Sequence, residues 1–108
     1  MSERTAPPVL LDGDWPRASP GYSHLPTTPI VMALTSWAFR VYAYLVSLGY
    51  SQDGLSPLPE DVARDLVMPR RAVKAAFCDL ASAGLLSLMG DVDGPIETVV
   101  LHLPVDVK

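Results

Sequence analysis

Three of the eight basic residues in this 108-residue chain, Arg70, Arg71 and Lys74, fall within five positions of one another. Guanidinium and ammonium groups bind phosphate, and arginine also pairs with the edge of guanine. The small side chain of Ala75, beside them, would let a nucleic acid approach closely. The same cluster is also typical of the solvated face of an amphipathic helix, so its meaning depends on the element that carries it.

Residues 69–83 have the clearest helical period in the sequence. Apolar residues recur there at i, i+3, i+4 and i+7: Val73, Ala76, Phe77 and Leu80. Gly84 follows as a residue suited to a left-handed helix end. At about 100° per residue, Arg71 and Ala75 lie opposite the apolar stripe. The sequence therefore predicts one helix with an apolar side for the core and a basic side for solvent or a partner.

Two further helices are predicted before this one. Residues 59–66 begin with a proline, whose missing N–H is harmless in a first turn, and Glu60 and Asp61 suit the positive end of the helix dipole. Residues 67–69 then form a break. A longer apolar pattern predicts a first helix that begins near residue 30 or 36 and ends at Gly49.

The first predicted helix is apolar on two sides. One stripe consists of Leu34, Ala38, Val41, Leu45 and Leu48, and the second of Phe39, Tyr42, Ala43, Val46 and Tyr50. A helix of this kind is covered twice, once by its own core and once by something else. We predict a homodimer interface that includes Phe39, Tyr42, Val46 and Tyr50. The alternative is that the N-terminal arm folds back over this side.

The remaining segments complete a single domain over residues 30–104. Residues 85–89 and 96–103 have strand patterns on either side of a turn, which predicts a β-hairpin. Six of the eleven prolines fall in residues 1–29, which predicts an irregular arm, either disordered or docked. Residues 105–108 form a short tail.

The charge balance of 8 basic and 12 acidic residues, net −4, argues against binding nucleic acid or anionic membrane by bulk attraction. Any contact with DNA must be local. The single cysteine, Cys78, and the lack of a secretory signal pattern predict a cytoplasmic protein. Arg40 lies in the middle of the apolar stretch of residues 30–48, so we predict a buried helix there rather than a membrane span.

Residues 57–88, PLPEDVARDLVMPRRAVKAAFCDLASAGLLSL, resemble the helix-turn-helix segment of GntR- and MarR-like bacterial transcriptional regulators. The matching features are an inward Ala63 in the shorter helix, a turn at Val67 and Met68, and a closing phrase at residues 80–86, LASAGLL. The order of the elements is also that of a winged helix-turn-helix. The resemblance covers about 30 residues well and about 70 loosely.

The resemblance implies a mainly α fold with a small β-hairpin, a winged helix-turn-helix of three helices plus a two- or three-stranded wing. It also implies a small dimeric transcriptional regulator that binds double-stranded DNA sequence-specifically, with the helix at about 69–83 in the major groove. The DNA-binding residues would be Arg70, Arg71, Lys74 and Ala75. A dimer would double the phosphate contacts and supply two half-sites about 34 Å apart.

The predicted wing departs from the family pattern because it carries Asp91, Asp93 and Glu97 and no basic residue. These carboxylates would repel phosphate. An alternative function is therefore a protein–protein interaction module or a subunit of a larger assembly, with the acidic wing and the first helix as partner surfaces.

Other chemistry finds little support in the sequence. Cys78 has no histidine near it, and His24 and His102 lie far apart without companions spaced like metal ligands. Glycine loops for nucleotides, nucleophile elbows and cysteine pairs are missing. We predict no catalytic site, no metal, no cofactor and no enzymatic activity.

Overall fold

Four helices and three strands make up the part of the chain that the computed structural model describes, residues 7–16, 25–26, 28–51, 56–90 and 96–104. In chain order they are β1 (Val9–Asp12), α1 (Pro29–Met32), α2 (Ser36–Ser51), α3 (Pro59–Leu66), α4 (Arg70–Ser82), β2 (Leu86–Gly90) and β3 (Ile96–His102). None of the described helices is both long and apolar enough to cross a bilayer.

The strands form one mixed sheet in the order β1-β3-β2. β2 and β3 pair antiparallel, which confirms the pairing predicted for the hairpin. β1 pairs with the other side of β3 in parallel, with Val9 opposite Val99. The predicted fold class, mainly α with a wing on three helices, is therefore wrong. Over the residues that the structure describes, the chain is a small α/β protein of four helices and a three-stranded mixed sheet.

The strand that changes the fold class comes from the N-terminal segment, which the sequence predicted to be irregular. Val9 is buried and Leu11 half-buried, whereas Leu10 between them is exposed, as expected for a strand with one inner face. The N–H of Val99 donates to the carbonyl of Pro8 at 3.0 Å and extends the pairing. This strand is only four residues long and its partner lies about 90 residues later, so no local pattern reveals it.

The core lies between the sheet and the helices α2 and α4. Val99 and Leu101, alternate residues of the central strand β3, are fully buried. α2 contacts β1 and β3, and α4 contacts β2. Tyr42 of α2 and Phe77 of α4 are the largest of the fully buried side chains. One continuous core therefore holds both the sheet and the helices.

α2 begins at Ser36, the later of the two predicted starts. The side chain of Thr35 accepts a hydrogen bond from the N–H of Ala38 at 3.2 Å, which is the usual arrangement at a helix N-cap. The residues before it form the separate one-turn helix α1, whose Val31 is buried.

α2 is covered on two sides, and within the described chain the second cover is the N-terminal arm. A Cβ at Gly49 would lie 2.5 Å from Cδ2 of Leu11, so β1 approaches the helix very closely there. The hydroxyl of Tyr50 donates to the carbonyl of Pro16 at 2.6 Å. The ring of Trp15 meets the ring of Tyr50 edge-on, with centroids 6.3 Å apart. The arm therefore covers the second apolar side of α2, for which the sequence left the arm and a second chain as alternatives.

Candidate nucleic-acid interface

The helices α3 and α4 are joined by a turn of three residues, 67–69. α3 covers the predicted residues, Pro59–Leu66. It ends because Val67 adopts a left-handed backbone conformation, with φ 53°. The N–H of Met68 then turns back and donates to the carbonyl of Ala63 at 2.9 Å. This bond determines the direction in which the chain leaves α3 and enters α4.

Val67 is an unusual residue for this turn. A β-branched side chain at positive φ costs about 1–2 kcal/mol, and glycine or asparagine normally takes such a position. The side chain of Val67 is also 87% exposed, whereas that of Met68 is buried. The turn therefore presents an apolar side chain to solvent three residues before the first basic residue of α4.

α4 begins at Arg70, one residue later than predicted, with Pro69 as its N-cap. The carbonyl of Pro69 accepts hydrogen bonds from the N–H groups of Ala72 and Val73, at 2.9 and 3.2 Å. Pro69 makes no side-chain capping hydrogen bond to this end of the helix. The positive end of the helix dipole thus lies beside the two arginines and adds to their positive potential.

The two faces of α4 have the predicted burial. The residues of the apolar stripe are buried: Val73, Ala76, Phe77 and Leu80. The residues on the opposite face are exposed: Arg71, Ala75, Cys78 and Ser82. One side of the helix is therefore fixed in the core, while the other presents small side chains and a guanidinium to solvent.

The three cations of α4 differ in their surroundings. Arg70 is exposed, and its Nη2 lies 3.8 Å from Oε2 of Glu60 on α3. An exposed pair at this distance contributes little to stability. Arg71 is exposed and forms no ion pair with any side chain that the structure describes, and Lys74 is half-buried. The predicted DNA-binding residues, including Ala75, therefore lie together on the first two turns of α4.

Side chains of α2 hold α3, and through the turn they also position α4. Nη2 of Arg40 donates to the carbonyl of Leu66 at 2.6 Å, at the negative end of α3. The guanidinium of Arg40 also lies over the ring of Trp37, 5.9 Å from its centroid. The hydroxyl of Tyr44 donates to Oδ2 of Asp65 at 2.6 Å.

The bond between Tyr44 and Asp65 affects the titration of both groups. The hydrogen bond from Tyr44 lowers the pKa of Asp65 below its ordinary value of 3.8. Burial, and then this same bond, raise the pKa of Tyr44. The bond is therefore made by a neutral phenol and an ionised carboxylate over the whole neutral range.

The residues predicted for a dimer interface lie mostly inside one chain. Tyr42 and Val46 are fully buried, and Phe39 and Tyr50 are half-buried. The hydroxyl of Tyr42 donates to the carbonyl of His102 at 3.3 Å, and burial raises the pKa of this tyrosine. Burial also raises the pKa of Tyr50, which the arm covers. This side of α2 is thus already occupied by the chain's own residues.

The acidic loop of the predicted wing cannot be compared with the structure, because Asp91 and Asp93 lie outside the described residues. Glu97, at the start of β3, is described and exposed. The short strand at residues 86–90 ends before the loop.

A second group of polar side chains, which no motif in the sequence indicates, joins the three strands. Ser87 and Asp12 are both hydrogen-bonded to the ring of His102. In the sequence His102 has no neighbouring companion, because Asp12 lies 90 positions away. The only indication of this group in the sequence is the alternation of apolar and polar residues along β3, which turns His102 away from the core.

Comparison with protein-family models, curated proteins and solved structures finds no match to this chain. The resemblance to GntR- and MarR-like regulators therefore rests on the residues that carry it. The function has to be inferred from the side chains and their geometry.

Proposed function

We propose that the exposed face of α4 binds double-stranded DNA in the major groove and that the chain is a sequence-specific regulator of transcription. The observation that carries the proposal is the position of Arg70, Arg71 and Lys74 on the first two turns of a helix whose opposite face is buried. A helix held in this way can enter a groove without losing its contacts to the core.

The dimensions of α4 suit this role. Its 13 residues extend about 20 Å at 1.5 Å per residue, and a major groove about 12 Å wide admits one helix. Ala75 is exposed on the leading face and leaves room for the edges of the bases. The turn of residues 67–69 then lies beside the sugar-phosphate backbone.

Each cation has a distinct role in the proposal. Arg71, directly opposite the core stripe, donates to N7 and O6 of a guanine. Arg70 exchanges its long contact with Glu60 for a phosphate oxygen, and Lys74 contacts a second phosphate. A cytoplasmic location, which the sequence predicts, belongs to the same proposal because the DNA of a bacterium lies there.

The salt dependence of the DNA affinity shows how many copies of the chain bind one duplex. Three cations on one chain give a slope of about −3 for log affinity against log salt concentration, and two chains give about −5. Tyr42 and Val46 are buried within the chain, so Phe39 and Tyr50 are the residues of the predicted dimer interface that keep some exposure. The proposal holds for either slope, which then gives the stoichiometry.

The direct test is fluorescence polarisation with duplexes selected from a random pool at low salt. Arg71→Ala should weaken binding of the selected duplex about 10- to 100-fold and relax the preference at one base pair. Lys74→Ala should weaken all duplexes similarly and reduce the salt slope by about one.

A matched control removes one positive charge elsewhere. Arg64 is exposed on α3 and pairs with Asp61 and Asp65, so Arg64→Ala should leave the affinity within about twofold. The proposal is wrong if the chain binds no duplex at low salt. It is also wrong if Arg71→Ala and Lys74→Ala bind as well as the original chain.

A further inference from the structure

Hydrogen bonds among the side chains of Asp12, His102 and Ser87 connect all three strands of the sheet. Nε2 of His102 lies 2.8 Å from Oγ of Ser87, and Nδ1 of the same ring lies 3.0 Å from Oδ2 of Asp12. A carboxylate at Asp12 can only accept a hydrogen bond, so Nδ1 carries the ring hydrogen and Nε2 is left as the acceptor for the hydroxyl of Ser87. The order carboxylate, imidazole, hydroxyl is the one that activates a serine for nucleophilic attack.

The register of the sheet brings these three residues together. Asp12 is the parallel partner of His102, so both side chains leave the sheet on the same face. Ser87 is the antiparallel partner of Val100, which is two residues before His102 and shares its face. The three residues therefore meet through strand pairing and not through loops.

The backbone at His102 is held from several sides. Its N–H donates to the carbonyl of Leu85 at 2.9 Å, and its carbonyl accepts the hydrogen bond from Tyr42. Parallel pairing with β1 fixes it against Asp12. The imidazole thus projects from a rigid position, as a general base requires.

An open cleft of about 520 Å³ adjoins this group, and Asp12, Ser87 and His102 all line it. The other walls are small or apolar: Gly13, Ala81, Gly84, Leu86 and Leu103. Such walls suit a short acyl chain and offer no charged group to a charged substrate.

We propose that Ser87 is a nucleophile in a site that hydrolyses short-chain carboxylic esters, with His102 as general base and Asp12 as its positioning residue. Oγ of Ser87 attacks the ester carbonyl carbon and its proton passes to Nε2 of His102. The bond to the alkoxy group then breaks, and the alcohol leaves with that proton. Water attacks the acyl-serine, gives a proton to His102, and releases the carboxylic acid as the serine recovers its hydroxyl hydrogen.

The exposure of the site indicates esters rather than amides. The side chain of Asp12 is 66% exposed and that of His102 is 30% exposed, so water screens the charges that develop during the reaction. Weak charge stabilisation suffices only where the leaving group departs easily. This proposal differs from the predicted absence of enzymatic activity, and it is independent of the DNA-binding face of α4.

The experiment measures hydrolysis of p-nitrophenyl acetate and covalent labelling by a fluorophosphonate, with the labelled residue located by mass spectrometry. The intact chain should be labelled at Ser87. Ser87→Ala should abolish labelling, and both Ser87→Ala and His102→Gln should lower kcat/KM at least about 100-fold. Ser47→Ala, which removes an exposed hydroxyl on α2, should change neither measurement.

A positioning role for Asp12 has its own readout. Asp12→Asn should lower kcat at least about tenfold with KM unchanged, and Asp12→Glu should restore part of kcat. Circular dichroism shows whether each variant folds. If His102→Gln does not fold, the comparison of the intact chain with Ser87→Ala decides. Hydrolysis by the intact chain no faster than by Ser87→Ala, or labelling only at other residues, overturns the proposal.

Discussion

The α3–α4 pair and the three-stranded sheet share one core but are assembled differently. The pair comes from one continuous segment, Pro59 to Ser82, and its faces are set by local periodicity. The sheet joins β1, which starts at Val9, to β3, which ends at His102. The sheet therefore depends on contacts between the two ends of the chain, whereas the helix pair depends mainly on its neighbours.

This difference separates the two proposed sites. The basic face of α4 needs only the pair and the core beneath it. The group of Ser87, His102 and Asp12 also needs the N-terminal arm in place, because Asp12 is the last residue of β1. A change that displaces the arm should remove the group of Ser87, His102 and Asp12 and leave the basic face of α4. Four substitutions test how far the two regions are independent.

The largest effect is expected at the core that both regions share. Phe77→Ala removes a fully buried ring of α4 and should lower the free energy of unfolding by about 3–5 kcal/mol. Urea denaturation followed by circular dichroism and by tryptophan fluorescence measures it. Met89→Ala, at an exposed position of β2, should stay within about 0.5 kcal/mol. Different midpoints for the two probes would contradict a single cooperative core.

A second substitution affects the arm alone. Gly49→Ala improves helix propensity by about 1 kcal/mol but places a Cβ 2.5 Å from Leu11, and such overpacking costs about 1–3 kcal/mol. We therefore expect a net loss of about 1 kcal/mol in urea denaturation. The proposed ester hydrolysis should fall, whereas DNA binding should remain.

The matched control for Gly49 is a double substitution. In a Leu11→Ala background the obstructing side chain is gone, so adding Gly49→Ala should now stabilise the chain by about 1 kcal/mol. If Gly49→Ala stabilises the original chain equally, β1 is not packed against α2 in solution.

A smaller effect is expected at the turn of the helix pair. Val67→Gly relieves a β-branched residue at positive φ and should raise the free energy of unfolding by about 0.5–1 kcal/mol, after the entropy that glycine adds to the unfolded chain. Val67→Ala keeps a Cβ at the same φ and should gain less. A destabilised Val67→Gly would show that the exposed side chain makes contacts of its own.

The smallest effect concerns the bond that ties α2 to α3. The folded-state pKa of Asp65 is lowered, so the stability from its bond is present above pH 3.8 and is lost as the pH falls through the lowered value. The folded-state pKa of Tyr44 is raised, so its contribution is full below pH 10 and is lost as the pH rises further.

The advantage of the original chain over Tyr44→Phe should accordingly be constant between about pH 4 and pH 10 and shrink on either side. Thermal unfolding across this pH range measures this advantage. Asp65→Asn should abolish its decline below pH 4 and leave its decline above pH 10. If the advantage grows below pH 4, the hydrogen bond between Tyr44 and an ionised Asp65 is not what stabilises the chain.

The sequence predicted the helix pair well because local chemistry determines it. The proline and the carboxylates of its first turn set the start of α3, and the apolar spacing from Val73 to Leu80 sets the buried face of α4. The pairing of β2 with β3 was also predicted, since the two segments are close in sequence and both alternate.

What the sequence did not predict depends on distant contacts. β1 is four residues long, and only its partner in β3 makes it a strand. For the same reason no local pattern gives His102 a companion, although its ring contacts residues 15 and 90 positions away. The second apolar side of α2 was recognised, but nothing local distinguishes cover by the arm from cover by a second chain.

The most direct test of the proposed function is a titration of the ¹⁵N-labelled chain with a selected DNA duplex at low salt, followed by amide chemical shifts. DNA binding by α4 predicts that the largest changes fall on its first two turns, around Arg70, Arg71 and Lys74, and on the turn at Val67. Changes concentrated on the sheet, or spectra that do not respond to the duplex, would contradict it.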